Sequence, residues 1–200
     1  MDDTLGFMIL GLLGLQGLFM RFSPGSLRIQ KPDGGATAWI YNILNLGFLL
    51  GLTPLIAFCL IGGFQDILEW GQLQSSAIKP VPFQFIGIVC YVSGNGLLYW
   101  SRVVLGKSFR LGAVPPKQTD CLVISGPFRH VRHPMYSAVV LMSFGLSLIL
   151  FNWVLLVFTL VFLAVIIRMI PLEEIQLTLA YNGEYRSYQS RTRRLIPWVY

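Results

Sequence analysis

Five apolar stretches constrain this chain more than anything else in it. They span residues 5–22, 39–62, 83–104, 134–151 and 153–170. Each is close to the roughly 20 residues a helix needs to cross about 30 Å of hydrocarbon. In lipid only a helix or a closed barrel satisfies its own backbone polar groups, and these runs lack the alternation of barrel strands. A soluble domain is excluded: 54% of the residues are hydrophobic, 12% are charged and the mean hydropathy is +0.65, too little polar surface to face water. The expected fold is an all-α integral membrane protein of about five transmembrane helices, a single membrane domain over 1–200. A long cytosolic loop and a C-terminal helical tail complete it. The first stretch is read as a retained helix. Asp2 and Asp3 stand where a signal peptide has basic residues, and no small-residue cleavage site follows.

The lysines and arginines set the expected topology. Arg21, Arg28 and Lys31 follow the first span, and Lys79 alone follows the second. Arg102, Lys107, Arg110, Lys117, Arg129 and Arg132 gather at the end of the third span and in the loop behind it. The turn at Asn152 has none, whereas the tail has Arg186, Arg191, Arg193 and Arg194. The N-terminus is therefore expected outside, with the loop over 105–133 and the tail cytoplasmic, in a prokaryotic plasma membrane. The net charge of +6 follows from this asymmetry and from attraction to anionic headgroups, with no nucleic-acid partner. Cys59, Cys90 and Cys121 sit at different depths and suggest no disulfide framework. Cys121 is read as a plain loop thiol. Residues 1–82 are read as two scaffold spans and 83–200 as the working core. Gly6, Gly11, Gly14 and Gly17, and the Gly47/Gly51 pair, are expected to pack helices closely, and Pro54 to kink the second span. Asp66, Glu69 and Trp70 read as an interfacial segment.

Two polar clusters flank the last hairpin. Gly126-Pro-Phe-Arg-His-Val-Arg-His-Pro-Met-Tyr136 puts two arginines, two histidines and a tyrosine at the entry to the fourth span. Pro134 suits a first helical position, and the residue before a proline avoids helical geometry. His133 then sits at a helix N-terminus, where free N–H groups favour an anion, beside Arg129 and Arg132. Topology and capping account for the same charges equally well. The second cluster runs from Arg168 to Glu174. Pro134 lies 18 residues before Asn152 and Glu173 lies 21 after it. At about 1.5 Å per residue both return to one depth, so His133 and Glu173-Glu174 are expected to be neighbours. The glutamates follow Pro171 and read as the first turn of a new helix, where acids complement the dipole. Adjacent helical side chains point about 100° apart, so only one carboxylate can face a site. Arg168 either snorkels to headgroups or holds an anionic substrate group. No metal site is expected: Pro134 breaks the helix that His130 and His133 would need. There is no phosphate-binding glycine loop and no Ser-His-Asp set.

Together these motifs resemble the isoprenylcysteine carboxyl methyltransferase family, in the wider group that includes phospholipid N-methyltransferases. The matching pieces are Leu122-Val123, Gly126-Pro-Phe-Arg129, Arg132-His-Pro-Met-Tyr136, Asn152-Trp153, Glu173-Glu174, Gly183-Glu-Tyr185, Tyr188 and Ile196-Pro197. The resemblance implies S-adenosylmethionine bound in a cytosolic pocket, leaving as S-adenosylhomocysteine. It implies contacts from Leu122, Val123, Gly126, Arg129, His133, Pro134, Tyr136, Glu173, Glu174 and Tyr185, with Leu122-Val123 at the adenine, and Arg168 and Tyr136 as catalytic residues. A lipophilic small molecule or prenylated substrate would enter sideways from the lipid bilayer, into a protein read as a monomer. A carboxylate acceptor is already ionised at neutral pH and needs no general base. Val139, Leu141 and Met142 stand where animal prenylcysteine enzymes carry aromatic residues, and Arg168 is one residue out of register with the family's arginine. The acceptor therefore stays open among carboxylate, amine, thiol and lipid headgroup. An alternative reading is a membrane NADPH-dependent reductase of the sterol or steroid type. Those enzymes have more spans and tryptophan-rich flanks where this chain has Ser125-Gly-Pro-Phe128. A non-enzymatic scaffold would not need the polar clusters.

Overall fold

The computed structural model describes residues 2–22, 35–62, 69–73, 80–109 and 120–196. Arg28, Lys31, Asp66, Lys79, Arg110, Lys117 and Pro197 lie outside them. Among the described residues the chain is helical, with two isolated β-bridges and no strand. Helix α1 covers Asp2–Phe22; α2 covers Gly35–Leu46 and runs through a π-helical turn, Gly47–Leu52, into α3, Thr53–Ile61. Helix α4 covers Val81–Leu105, α5 Pro134–Ile149 and α6 Trp153–Arg191. Three stretches are long and apolar enough to cross a membrane: Gly35–Ile61, Val81–Ser108 and Trp153–Arg191. Thr4–Leu15 and Pro134–Ile149 are shorter apolar helices. The five expected segments are all present as helices of a multi-pass membrane fold.

The 16-residue α5 is the shortest of the later helices and the most central. Ala138, Val139, Met142, Ser143, Gly145, Leu146 and Ile149 are all buried, so it meets protein on most sides. It lies against α4 through glycines. A Cβ on Gly87 would come within 2.7 Å of the Gly145 carbonyl, one on Gly145 within 2.7 Å of the Gly87 carbonyl, and one on Gly94 within 2.9 Å of the Ala138 carbonyl. Without side chains the backbones approach directly, the main source of helix attraction where lipid cancels the hydrophobic drive. The expected close packing at Gly47 and Gly51 is not found: nothing described lies within 4 Å of a Cβ at either, nor at Gly11, Gly14 or Gly17. Gly6 does pack, against Ala57 and Ile61 of α3. The kink expected from Pro54 takes the form of the π turn before it, where Thr53 donates to the Phe48 carbonyl at 2.6 Å.

The α5–α6 turn sets the depth of everything beyond it. Phe151 adopts a positive φ of 48°, and Asn152 caps α6 by accepting from the Val154 and Leu155 amides at 2.9 and 3.2 Å. Its side-chain amide donates to the Trp70 carbonyl at 2.8 Å, clipping the segment at Trp70 onto the turn. One expectation is overturned beyond this point. Helix α6 does not end near Ile170: it passes Pro171 and Glu173 unbroken, and its non-helical residue is Asn182, with φ 48° and ψ −119°. No Ser, Thr, Asp or Asn precedes Pro171 to cap a new helix. Glu173 and Glu174 are therefore interior helical residues, and no N-terminal dipole acts on them.

Replacing Gly145 with leucine is expected to overpack the α4–α5 contact and destabilise the protein by about 1–3 kcal/mol. The same change at Gly47 is expected to be nearly silent. Thermal unfolding in detergent, followed by circular dichroism, compares the two.

Candidate active site

Glu174 is the hub of the end of α6 that meets the basic loop. It lies past the apolar part of the helix, its side chain only 7% exposed. Arg132 Nε donates to Oε1 at 2.6 Å, and Arg194 donates to Oε2 through Nε at 3.1 Å and Nη2 at 3.0 Å. His133 Nε2 lies 3.5 Å from Oε1. Burial alone raises this carboxyl's pKa, but the nearby His133 and the hydrogen bonds from Arg132 and Arg194 outweigh it and hold the pKa at about 2. The pKa is depressed on folding, so the stabilisation is present above the ordinary carboxylate range and is lost as pH falls towards 2.

Arg132 also reaches past Glu174 to the chain end. Its Nη1 donates to the Gln189 carbonyl at 3.1 Å and to the Thr192 carbonyl. The backbone follows: Arg132 and His133 amides donate to the Arg193 and Arg194 carbonyls at 2.7 and 3.0 Å, and Ser137 Oγ donates to the Leu195 carbonyl at 2.7 Å. Tyr188 donates to the Phe128 carbonyl at 2.6 Å. Loop, α6 and terminal segment are thus tied into one wall.

Glu173, 100° around the helix, faces the other way. Tyr136 donates to its Oε2 at 2.6 Å, and His133 Nδ1 lies 3.6 Å from the same oxygen. The His133 ring lies parallel to Tyr136, and Tyr41 of α2 meets Tyr136 edge-on at 5.0 Å. These groups border a cavity of about 220 Å³. Leu122, Val123, Phe128, Tyr181, Tyr185 and Tyr188 close one side, and Leu49, Leu98, Leu105 and Val139 line its apolar part. Arg102, 3% exposed, lies with its guanidinium 4.0 Å over the Phe109 ring at the cavity wall. Tyr185 is 1% exposed, and its hydroxyl has no hydrogen-bond partner among the described residues.

Of the residues expected at the site, Leu122, Val123, His133, Pro134, Tyr136, Glu173 and Tyr185 line this cavity. Four do not. Arg168 is exposed on α6, on a different face from the buried Ile166, Ile170 and Glu174, so helical phase turns it away from the cavity. Arg129 is exposed on its 3-10 turn. Gly126 has φ 59°, and a Cβ there would meet Val104 at 2.8 Å; it shapes the turn. Glu174 is consumed by its arginines. Sequence reasoning missed Arg102, taken as a topology charge, and Tyr41, Asn45 and Leu49, taken as scaffold. The last three recur every four residues, the helical signal that could have marked them as one face. Among the described residues no group of His, Cys, Asp and Glu could hold a metal.

Comparison with known proteins bears on the family and the fold. The family model described as phospholipid methyltransferase matches residues 83–184. Protein-S-isoprenylcysteine O-methyltransferase of Schizosaccharomyces pombe is 26% identical over 178 residues, covering 84% of this chain and 75% of the relative. A probable protein-S-isoprenylcysteine O-methyltransferase of Oryza sativa subsp. indica is 27% identical over 117 residues, 58% of this chain and 61% of that protein. The solved structure of the eukaryotic intramembrane Ras methyltransferase ICMT superposes with a TM-score of 0.54 at 20% identity, covering 83% of this chain. The chain spans about half, 51%, of that protein's length.

Arg132→Ala is expected to leave Glu174 with one arginine fewer and to cost about 3–5 kcal/mol of stability. Arg168→Ala is expected to stay within about 0.5 kcal/mol. Denaturation of the two purified variants measures the difference. With α5 and most of α6 inside the matched segment, residues 83–184, the chain belongs to the phospholipid methyltransferase family of membrane proteins.

Proposed function

We propose that the chain transfers a methyl group from S-adenosylmethionine to an acid group on a lipophilic, prenyl-type acceptor. The observation that carries this reading is the make-up of the cavity: it is bordered by a carboxylate, a histidine and tyrosines together with leucines and a valine of the membrane helices. The polar end fits the donor. The Glu173 side chain is 29% exposed and can accept from hydroxyl or ammonium groups, and the buried Tyr185 hydroxyl is free to bond a ligand. Leu122 and Val123 offer backbone groups and apolar contact for a purine. When bound, S-adenosylmethionine supplies an electrophilic methyl group on a sulfonium.

The chain's own residues then have simple tasks. Arg102 holds the acceptor's carboxylate by charge. That carboxylate is ionised at neutral pH, so no residue has to remove a proton. Tyr136 keeps Glu173 in place instead of acting as a base. The apolar wall excludes water, and alignment of donor and acceptor supplies most of the rate. The polar end lies on the side of the basic loop and tail, which the positive-inside rule makes cytoplasmic.

Calorimetry on purified protein tests the donor. S-adenosylhomocysteine is expected to bind and NADPH is not, and Glu173→Ala is expected to weaken binding by about 1–3 kcal/mol. Saturable NADPH binding without S-adenosylhomocysteine binding would overturn the reading. Transfer of a labelled methyl group separates acceptors: an S-farnesylated cysteine derivative is expected to be methylated, and phosphatidylethanolamine is not.

A further inference from the structure

The acceptor end of the cavity is completed by a helix outside the matched segment. Tyr41, Asn45 and Leu49 recur at intervals of four on α2 and its π turn, and all three line the cavity. On α4, Leu98, Arg102 and Leu105 line it as well. The α4 stripe sets a polar side chain between leucines, and the α2 stripe sets one between a tyrosine and a leucine. On α4 it is the arginine that the proposed function assigns to the acceptor's acid. On α2 it is Asn45, whose side-chain oxygen is buried and has no hydrogen-bond partner among the described residues.

A buried amide oxygen left without a donor costs more than a made hydrogen bond returns. Water can serve it while the cavity is free. A lipophilic acceptor displaces that water, and it binds well only if it replaces the lost bond. An acceptor with a donor beside its acid does so; one with only methylenes there does not.

We propose that Asn45 is a specificity-determining residue, its side-chain oxygen accepting a hydrogen bond from an N–H that the acceptor carries next to the methylated acid. This rests on the methyl-transfer reading above. The N–H anchors and does not react, so the discrimination appears in KM and leaves kcat nearly unchanged.

The test compares two acids of equal chain length. N-acetyl-S-farnesylcysteine carries an amide N–H beside its carboxylate, and 3-(farnesylthio)propanoic acid lacks it. Asn45→Leu is expected to raise KM about five- to tenfold for the first acid and to leave the second unchanged. Asn45→Gln, which keeps an uncharged amide oxygen, is expected to retain part of the preference. S-adenosylhomocysteine affinity is expected to match the wild type in both variants; if Asn45→Leu loses it, Asn45→Ala carries the same comparison. Equal loss on both acids, or none on the first, overturns the role of Asn45 while leaving methyl transfer intact. If the wild type binds S-adenosylhomocysteine but methylates neither acid, the acceptor reading fails and the inference falls with it.

Discussion

A buried carboxylate holding two arginines organises the working end of this protein. Glu174 draws Arg132 from the loop and Arg194 from the chain end onto one turn of α6. Charges this far from water are costly unless each is paired and its other hydrogen-bonding capacity is met. Much of it is met here: Arg132 spends its Nη1 donors on the carbonyls of Gln189 and Thr192, and the backbone amides beside it bond to the terminal segment. The network is therefore worth more as a fastener than as a source of net stability. It decides where His133 and the first turn of α5 stand relative to α6.

That fastening works because the hydrophobic half has already set the depth. The backbone contact at Gly87 and Gly145 fixes α5 against α4, and Asn152 caps α6 while gripping the segment at Trp70. From this turn both helices run to the same level. Adjacent glutamates on one helix then divide two tasks by phase alone. Glu174 turns inward to the arginines, and Glu173 turns to the cavity with Tyr136 as its partner.

What the sequence disclosed follows from this division. The five apolar segments and the return of His133 to Glu173 depend on length and rise per residue, which short-range rules read well. The seven cavity residues on the loop, α5 and α6 were legible because their motif is local. What it did not disclose depends on tertiary phase. The direction of Arg168 is set by the register of a helix that continues through Pro171, and a proline reads as an end. The use of Glu174 as an anchor depends on Arg194, twenty residues away. Tyr41 and Asn45 lie in a segment whose polar residues look incidental until α2 is packed on α6.

The same phase logic explains why the acceptor was the hardest part to read. The donor end is made of one contiguous stretch of loop and two helices, so its chemistry travels with a motif. The proposed acceptor end is shared between α2 and α4, far apart in sequence; α2 brings Asn45 between Tyr41 and Leu49, and α4 brings Arg102 between Leu98 and Leu105. An isolated arginine near a helix end reads as a topology signal, and an isolated asparagine in an apolar helix reads as tolerated polarity. Neither is informative alone. Arg102 shielded over Phe109 and Asn45 with an unmet oxygen become so only when they border the same cavity. Under the proposed reaction, that charge and that hydrogen-bond acceptor would select for a molecule with an acid, a neighbouring donor and a long apolar tail.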